Sequence, residues 1–373
     1  MGETMSKKLT PVKITAIVLC SIFALFIMTV LGYVIYVVAQ YDRIPDNQII
    51  ETTGNQTQEL VAGAEYSVVT YNIGFGAYSH DFDFFMDSGK MKNGKKVSGS
   101  GSKAKNKETV LTNTNGAISS VKNDGDYDFM LFQEVDTDST RSHHVNQYVM
   151  LADEFGKDRG SAFAVNYHSA YLLYPFNDPH GQSNAGLATF SKYNISSNVR
   201  RQYPLDTGFA KFFDLDRCFM ITRIPVQNGK QLTLINSHMS AYDEGGKIRE
   251  KQLALLNSVL EEEKKAGNYV IVGGDFNHDI ANSMTLFPTE QEVPEWVFQL
   301  QNKDLADGYS FAAATNVATC RSTDMPYVKG KNYTAVLDGF IVSDNIKVVN
   351  TRNIDSDFMY SDHNPATMQF VLQ

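Results

Sequence analysis

The first 65 residues differ from the rest of the chain in how apolar and polar positions follow one another. An apolar run of 25 residues, from Ile14 to Val38, contains no charged side chain. About 20 such residues span the hydrocarbon core of a bilayer. The pattern predicts a transmembrane helix over 14–38, preceded by a cytoplasmic N-terminus over 1–13 and followed by a polar juxtamembrane linker over 39–65.

The apolar run also has the position of a signal peptide. The apolar part of a signal peptide is typically about 7–15 residues long, and no convincing small-x-small cleavage pattern precedes Tyr41, so a retained anchor is favoured. Lys7, Lys8 and Lys13 stand on its N-terminal side, and the positive-inside rule keeps them in the cytoplasm. We therefore expect a single-pass protein of the cell membrane, with a globular domain over 66–373 that lies outside the cell.

Beyond the linker, short β-branched and aromatic runs alternate with amphipathic segments. Such runs predict strands, which we place over 66–71, 129–132, 187–190, 219–224, 232–235, 269–272, 336–342 and 367–372. Apolar residues at helical spacing predict helices over 110–121, 143–155 and 248–260. The chain has no glycine-rich phosphate loop, so the alternation predicts α/β layers around stacked sheets rather than a nucleotide-binding fold.

A lysine-rich segment over 90–107 interrupts these elements. It holds seven lysines among glycine and serine residues and almost nothing apolar, which predicts a mobile surface loop. Beside a catalytic site, such a loop would supply positive charge for a nucleic-acid substrate.

Net charge bears on the substrate. The whole chain carries −9; the first 40 residues hold three of the 33 basic and one of the 42 acidic residues, so the remainder carries about −11. Proteins that hold nucleic acid by its phosphates usually present a basic face. The balance disfavours avid polynucleotide binding, although a bound divalent cation can supply local attraction.

The cysteines leave two interpretations open. Cys20 lies in the apolar run, and Cys218 and Cys320 lie beyond it. Outside the cell the last two could form a disulfide, but spacing alone does not bring them together, and two buried free thiols are at least as good an interpretation.

Polar residues that can bind metal or move protons follow the predicted strands. They are Asn72 in YNIG, Glu134 in LFQEVD, His238 in INSHMS, Asp275 and Asn277 in GGDFNHD, Asp338 in LDGF, and Asp362 and His363 in SDHNP. A single residue of this kind is usually a hydrogen-bonded turn residue. Six such segments in this order indicate one site, and GDFN followed by a terminal SDH is their most specific part.

In these motifs the chain resembles the endonuclease/exonuclease/phosphatase superfamily, which includes DNase I-like nucleases, inositol polyphosphate 5-phosphatases and neutral sphingomyelinases. The resemblance runs from about Tyr66 to the C-terminus. It implies an α+β fold, a four-layer α/β/β/α sandwich preceded here by one transmembrane helix, and metal-dependent hydrolysis of phosphoric esters. We expect the catalytic domain to be monomeric.

The resemblance also implies roles for single residues. Glu134 would be the principal ligand of Mg²⁺ or Mn²⁺, helped by Asn72 and Asp362. Hard carboxylate oxygens suit Mg²⁺, and the ion would shield the charge that develops on the phosphate. Asp338 would orient His363 and keep it protonated.

Three further residues would act on the phosphate or the attacking water. Asp275 and Asn277 are two apart on a segment that we expect to be extended, so their side chains would share one side of the chain. One could hold the water while the other donates a hydrogen bond to phosphate. His238 would contact the phosphate or protonate the leaving group, and which group is the general base stays open.

Two positions are weaker candidates for substrate binding. Asn184 in NAGLATFSK would contact the phosphate, with a turn residue as the alternative. Arg141, in TRSHH together with His143 and His144, would lie near the site entrance, with a solvated charge at a helix start as the alternative.

Aromatic residues offer a surface whose role the sequence leaves open. Tyr78, Phe82, Phe84 and Phe85 follow Asn72 in an acidic run and could form a substrate wall, a lipid-facing lip or ordinary core. Three tyrosines further along are predicted to be sheet residues: Tyr167, Tyr171 and Tyr174.

Three functions fit the sequence. The anchor, the acidic balance and the aromatics favour a phosphodiesterase that acts on a phospholipid or a lipid-linked phosphate. A surface nuclease of the DNase I type is the alternative. A catalytically silent binding module is disfavoured, because every position that the chemistry needs is filled.

Overall fold

A computed structural model describes residues 10–205, 216–241 and 247–373. The chain divides into a small unit, Met1–Asp42, and a large unit, Arg43–Gln373. The predicted fold is confirmed in both: an apolar helix in the small unit and an α+β sandwich in the large one.

The small unit contains helix α1, Pro11–Ala39. Its 29 residues have a mean hydropathy of 2.7 over the most apolar 18-residue window, and among the described residues it is the one helix long and apolar enough to cross a membrane. Thr15 and Thr29 donate their hydroxyl hydrogens to backbone carbonyls four residues earlier, at 3.1 and 2.9 Å. Both hydroxyls are thus satisfied within the helix, as an apolar environment requires.

The segment over 39–65, which we predicted to be a polar juxtamembrane linker, belongs to the large unit from Arg43 onward. Arg43 lies 3.2 Å from Asp216, and Leu60 is fully buried in the core. A short strand within the segment pairs with the sheet described next. The polar composition of this segment did not suggest that it packs on the sandwich. The pairing of its short strand and the burial of Leu60 nevertheless hold it there, and the large unit begins at Arg43.

Two main sheets form the described part of the large unit. The first has the spatial order β1 (Gln48–Ile50), β8 (Ser197–Gln202), β9 (Cys218–Pro225), β10 (Gln231–His238), β11 (Tyr269–Asp275), β15 (Asp338–Ser343) and β12 (Tyr309–Ala312). The second has the order β16 (Ile346–Asn353), β17 (Ala366–Leu372), β2 (Glu65–Asn72), β5 (Phe129–Asp136), β7 (Gly181–Ser191) and β6 (Gly160–Leu172). Two short antiparallel pairs accompany them: β3 (Ser88–Lys90) with β4 (Lys96–Ser98), and β13 (Cys320–Arg321) with β14 (Thr334–Ala335).

The sheets pack face to face, with helices on their outer faces. Strand residues alternate between faces, so in β2 Val68 enters the central core while Val69 and Tyr71 face the helices. Helices α2 (Lys107–Asp124) and α3 (Gln147–Phe155) cover the six-stranded sheet, and α4 (Lys247–Ala266) covers the seven-stranded one. The four layers are those expected from the resemblance.

Two local predictions were wrong. Helix α3 begins at Gln147 rather than at 143, because His143 and His144 have φ of 50° and 59° and cannot continue a right-handed helix. Tyr174 lies beyond the end of β6 rather than within it.

The segment over 90–107 is also more structured than predicted, since part of it forms the β3–β4 hairpin. Lys90 lies 2.9 Å from Glu292, and Lys103 lies 2.6 Å from Asp178. At these two positions the positive charge is matched by a carboxylate, so the segment is a weaker source of free charge for nucleic acid than its composition suggests.

Cys218 and Cys320 are separate buried thiols. Of the two interpretations left open by the sequence, the structure supports two free thiols rather than a disulfide. The sandwich is therefore held together without a cross-link between these residues, by its apolar layers.

Candidate active site

The carboxyl ends of four strands meet at one edge of the sandwich. Strands β2 and β5 are parallel, as are β10 and β11, so Asn72, Glu134, His238 and Asp275 stand at or near equivalent ends. Nδ2 of Asn72 donates to Oδ2 of Asp275 at 3.0 Å and joins the two sheets directly. We call this edge, with these four residues, the site edge.

A β-bulge sets the direction of the Glu134 side chain. The pairing of β5 with β7 shifts between Phe132 and Val135, so Gln133 and Glu134 oppose a single residue. Glu134 has φ of 55°, in the left-handed region that side chains rarely adopt. Its Oε1 consequently comes within 3.8 Å of Nε2 of His238, where regular alternation would not have sent it.

The GGDFN segment turns sharply where we expected it to stay extended. A Cβ on Gly274 would lie 1.9 Å from the carbonyl oxygen of Ser237, so only glycine fits there. Asn277 has φ of 49°, and its backbone N–H donates to Oδ1 of Asp275 at 2.8 Å. Its Nδ2 donates to the carbonyl of Met239 at 2.8 Å. The two side chains are therefore held together by a turn and not by strand alternation.

His363 is paired with Asp338. Nδ1 of His363 lies 2.8 Å from Oδ2 of Asp338, and Nε2 lies 3.6 Å from Oδ2 of Asp275. Burial alone would lower the pKa of His363, but Asp338 and then the more distant Asp275 outweigh burial and raise this pKa well above its usual value. The shift favours the protonated form of His363.

The pKa of His238 is shifted in the opposite direction from that of His363. It is 2% exposed, with Nε2 3.5 Å from Oδ2 of Asp275. Burial lowers the pKa of His238 well below its usual value, and the positive charges of Arg217 and His363 lower it further. The two histidines that flank Asp275 therefore have pKa values shifted in opposite directions, a pattern typical of acid–base sites.

Two partly buried carboxylates, Glu134 and Asp362, form the part of the site that fits a cation. Burial, and then repulsion from Asp362, raise the pKa of Glu134 to about 8, while burial raises that of Asp362. A divalent ion would relieve this repulsion and restore the ionised forms. The resemblance adds Asn72, whose Oδ1 already accepts from the backbone N–H of Gly74 at 3.0 Å.

A second group of possible ligands lies beside the first. One ligand atom from each of Asp275, Asp338 and His363 falls within 4.8 Å of the others, and all three residues are buried. The pairing of His363 with Asp338 occupies one ligand atom of each, whereas the hard oxygens of Glu134 and Asp362 could hold a divalent ion.

Asn184 lies on β7 at the site side. Its backbone carbonyl accepts from Thr137 at 2.9 Å, while its side-chain Oδ1 is buried without a hydrogen-bond partner in the described ranges. Buried amide oxygens are rarely left unpaired. The position is compatible with the predicted contact to a substrate.

Arg141 is not a solvated charge. Its Nη2 lies 2.9 Å from Asp136, both side chains are almost fully buried, and the guanidinium carbon stands 3.2 Å from the centre of the Phe75 ring. The guanidinium is thus held by Asp136 and Phe75. His143 and His144, its sequence neighbours, contact the carbonyl of Ala104 and Asp138.

Two arginines were missed by sequence reasoning. Arg217 is 5% exposed, and its charge lowers the pKa values of Glu134 and His238. Arg321 lies next to Asp362 and donates its backbone N–H to the carbonyl of that residue at 3.0 Å. Neither is part of a recognisable motif, so only their spatial positions identify them.

The aromatic run after Asn72 is mainly core. Phe75 and Tyr78 are buried in one apolar cluster, and Phe82 stacks on Tyr78 with ring centres 5.0 Å apart. Of the three roles open to the sequence, core packing describes these residues. Phe85 is the last aromatic residue of the run, and its ring centre lies 5.7 Å from that of Tyr174.

Comparison with known proteins supports the fold and the chemistry class together. The model of the Endonuclease/Exonuclease/phosphatase family matches residues 69–363. The inositol phosphosphingolipids phospholipase C of Schizosaccharomyces pombe is 26% identical over 229 residues, which are 53% of this chain and 54% of that protein. The chain thus spans about half the length of this curated relative.

Two solved structures are similar in fold. An endonuclease/exonuclease/phosphatase from Beutenbergia cavernae has a TM-score of 0.56 at 15% identity, covering 83% of this chain and 72% of that one. The human Nocturnin catalytic domain, solved with a bound sulfate anion, has a TM-score of 0.51 at 15% identity, covering 87% and 98%. At this identity the likeness extends to the fold alone.

Proposed function

The chain belongs to the Endonuclease/Exonuclease/phosphatase family, and from that premise we propose that it is a divalent-metal-dependent phosphodiesterase held at the cell membrane by α1. The observation that carries the proposal is the placement of Asp275 between two buried histidines, whose Nε2 atoms lie 3.5 Å (His238) and 3.6 Å (His363) from its Oδ2. Cleavage of a phosphodiester requires a positioned acid and a positioned base, and Asp275 with a histidine on either side could supply both.

The protein's own residues would share the work as follows. Asp275, 3.6 Å from the protonated His363 and 3.5 Å from the neutral His238, is placed to accept a proton from an attacking water. His363, kept protonated by Asp338, would donate a hydrogen bond to a phosphate oxygen. Asn277 and Asn184 would position the phosphate. Arg217 would contribute a fixed positive charge.

Glu134 and Asp362, with Asn72, would hold Mg²⁺ or Mn²⁺. The ion would polarise the phosphoryl oxygens and neutralise charge. The partly buried, mutually repelling carboxylates of Glu134 and Asp362 favour this placement over the group around His363.

We propose a phospholipid or a lipid-linked phosphate as the substrate. The anchor would hold the site near lipid, the chain beyond residue 40 carries about −11, and the relative from Schizosaccharomyces pombe is named as a phospholipase C. The positive-inside rule, applied to Lys7, Lys8 and Lys13, would place the large unit outside the cell. A surface nuclease remains the alternative, and the acidic charge of the large unit weighs against it.

The test is hydrolysis by the full-length protein in lipid vesicles with Mg²⁺ or Mn²⁺. Sphingomyelin, glycerophospholipids, DNA, RNA and a soluble diester dye would be compared. We expect cleavage of a lipid headgroup, with DNA and RNA untouched. Cleavage of DNA without any lipid would establish the nuclease instead.

The Glu134→Ala protein is the matched negative control for every substrate. We expect its turnover to fall by about 10³-fold or more, because the principal metal ligand is gone. Full activity in a folded Glu134→Ala protein would contradict the proposed chemistry.

A further inference from the structure

We propose that a buried network of side chains holds the bulge of β5 so that Glu134 points into the candidate active site. The network consists of Thr70, Gln133 and Asn236, and we call it the bulge network. The inference rests on the proposed function in one respect, since it takes Glu134 as a metal ligand. The three members are positioning residues, because they act through Glu134 and not by contact with a substrate.

Asn236 joins the two strands of the bulge. Regular pairing of β5 with β7 stops after the pair Phe132 and Ala188 and is interrupted at the next two residues of β5. A bulge disrupts the ladder locally, and buried carbonyls beside it need other donors. Nδ2 of Asn236 donates to the carbonyl of Phe132 at 3.2 Å and to that of Ala188 at 3.0 Å. One side chain of the opposite sheet thus binds both strands where the bulge begins.

Gln133, the residue directly before Glu134, is held from two sides. Its Nε2 donates to Oδ1 of Asn236 at 2.8 Å and to Oγ1 of Thr70 at 3.0 Å. Both hydrogens of this amide are therefore used, one toward each main sheet. Glu134 has φ of 55°, and a strained backbone angle persists only where the surroundings fix it. The bulge network supplies that constraint.

The bulge network lies directly beneath the candidate active site. Side chains two residues apart on a strand share a face, so Thr70 lies on the same face of β2 as Asn72, and Asn236 lies on the same face of β10 as His238. All three members of the network are 0% exposed. In such surroundings, loss of one hydrogen-bond partner leaves the other polar group unsatisfied. A change at one member is therefore passed to the next.

A purely structural role is the competing explanation, because buried polar networks also fix a unique core. The chain offers a matched comparison. Oγ1 of Thr222 on β9 donates to Oδ1 of Asn198 on the neighbouring strand β8 at 2.8 Å, and Thr222 is also 0% exposed. Thr70 and Thr222 are thus equally buried threonines, each with an amide partner on the next strand. Only Thr70 is connected to the bulge.

The test measures metal binding as well as activity. The full-length protein in detergent micelles is titrated with Mn²⁺, and the free ion is measured by electron paramagnetic resonance. Thr70→Val removes the hydroxyl that accepts from Gln133. We expect the Kd for Mn²⁺ to rise by about tenfold, the lower end of the effect of a lost partner behind a metal ligand. Thr70→Ser keeps the hydroxyl and should bind Mn²⁺ as the native protein does.

Thr222→Val is the control for lost stability. Urea unfolding is measured beside Mn²⁺ binding, and we expect Thr70→Val and Thr222→Val to unfold at similarly reduced urea concentrations. Only Thr70→Val should bind Mn²⁺ more weakly. A native Kd for Mn²⁺ in Thr70→Val, or the same rise in Thr222→Val, would overturn the inference, because the network would then act on the fold alone.

Gln133→Met and Asn236→Leu form a double-mutant cycle, since each replacement has a similar size and no amide. Each variant alone should raise the Kd for Mn²⁺ by about 10–100-fold. The rise in the double variant should be smaller than the product of the two single rises, because both variants remove one shared contact. Independent effects would contradict the network. Thr70→Val is the milder change and decides the case in which these variants do not fold.

Hydrolysis of a soluble diester dye by the same samples separates the inference from the proposed function. A native protein that binds Mn²⁺ but cleaves no diester, with weaker binding in Thr70→Val, refutes the proposed function and supports the bulge network. An active protein whose Mn²⁺ affinity is indifferent to Thr70→Val refutes the network alone. A native protein that binds no Mn²⁺ refutes both.

Discussion

Nδ1 of His363 lies 2.8 Å from Oδ2 of Asp338, although the two residues stand beside strands of different main sheets. Asp338 begins β15, and His363 precedes β17. The contact therefore exists only when both sheets are packed. It sets the charge of a histidine that faces Asp275, and the first prediction follows from it.

Replacement of Asp338 by asparagine should remove the charge that keeps His363 protonated. We expect Asp338→Asn to lower kcat by about 10²–10⁴-fold, the range of a lost acid–base group, with a smaller change in KM. Steady-state kinetics on a soluble diester would measure both. Asp344→Asn, an exposed carboxylate, is the matched control, and a kcat for Asp338→Asn equal to that control would contradict the role.

The affinity for Mg²⁺ should rise with pH. The pKa of Glu134 is raised to about 8, first by burial and then by Asp362, so below pH 8 protons compete with the metal for this carboxylate. The Mg²⁺ concentration for half-maximal activity should fall by up to about tenfold per pH unit between pH 6 and 8.

A matched variant refines the same measurement. Arg217 lowers the pKa of Glu134, so Arg217→Met should move the Mg²⁺ requirement to higher pH. A half-saturating Mg²⁺ concentration that is constant from pH 6 to 8 in the native protein would rule out the protonated Glu134.

Arg141 should matter for stability more than for substrate affinity. Removal of one partner of a buried ion pair costs about 3–5 kcal/mol, so Arg141→Ala should reduce the free energy of unfolding by that order, and Arg141→Lys should not restore the bidentate contact with Asp136. Urea unfolding and KM would be measured together. A raised KM with unchanged stability would favour the substrate contact predicted from the sequence.

Glu263 offers a pH-dependent test far from the metal ligands. Burial alone would raise its pKa, but hydrogen bonds from Arg223, Asn268 and Thr233 outweigh burial and lower it. A depressed carboxyl pKa stabilises the fold above the unfolded value of about 4.3, and the contribution is lost as pH falls through the folded value.

Glu263→Gln should therefore cost about 2 kcal/mol at pH 7 and progressively less toward pH 3. Urea unfolding at several pH values would measure the difference, with Glu262→Gln, an exposed neighbour on the same helix, as control. The same cost at every pH would show that the charge of Glu263 is not what stabilises the contact.

The sequence was most informative where a property is local. The apolar run predicted α1 to within three residues at its start, and the eight predicted strands correspond to strands of the two sheets, although the run over 336–342 was placed two residues early. Residues at strand ends identified the family, and this identification is confirmed. Their individual roles stay predictions.

The sequence failed where the contacts of a residue are decided by the folded chain rather than by a local pattern. The polar segment over 39–65 resembled a linker because β1, Arg43 and Leu60 find their partners only in the folded large unit. Arg141 resembled a surface charge because only the folded chain brings Asp136 and Phe75 into contact with its guanidinium. The extended course expected at Asn277 failed because Asp275 holds a turn there.

By itself, then, the sequence determined the order of elements, the apolar helix α1 and the set of polar residues at strand ends, since periodicity and residue type are local properties. Only the tertiary structure decided the surroundings of these residues: the bulge that turns Glu134, the opposite pKa shifts of His238 and His363, and the pairing of Arg43 with Asp216. Each depends on burial or on charges brought within about 4 Å, where electrostatic interactions are strong because water is excluded, and no spacing along the chain encodes that proximity.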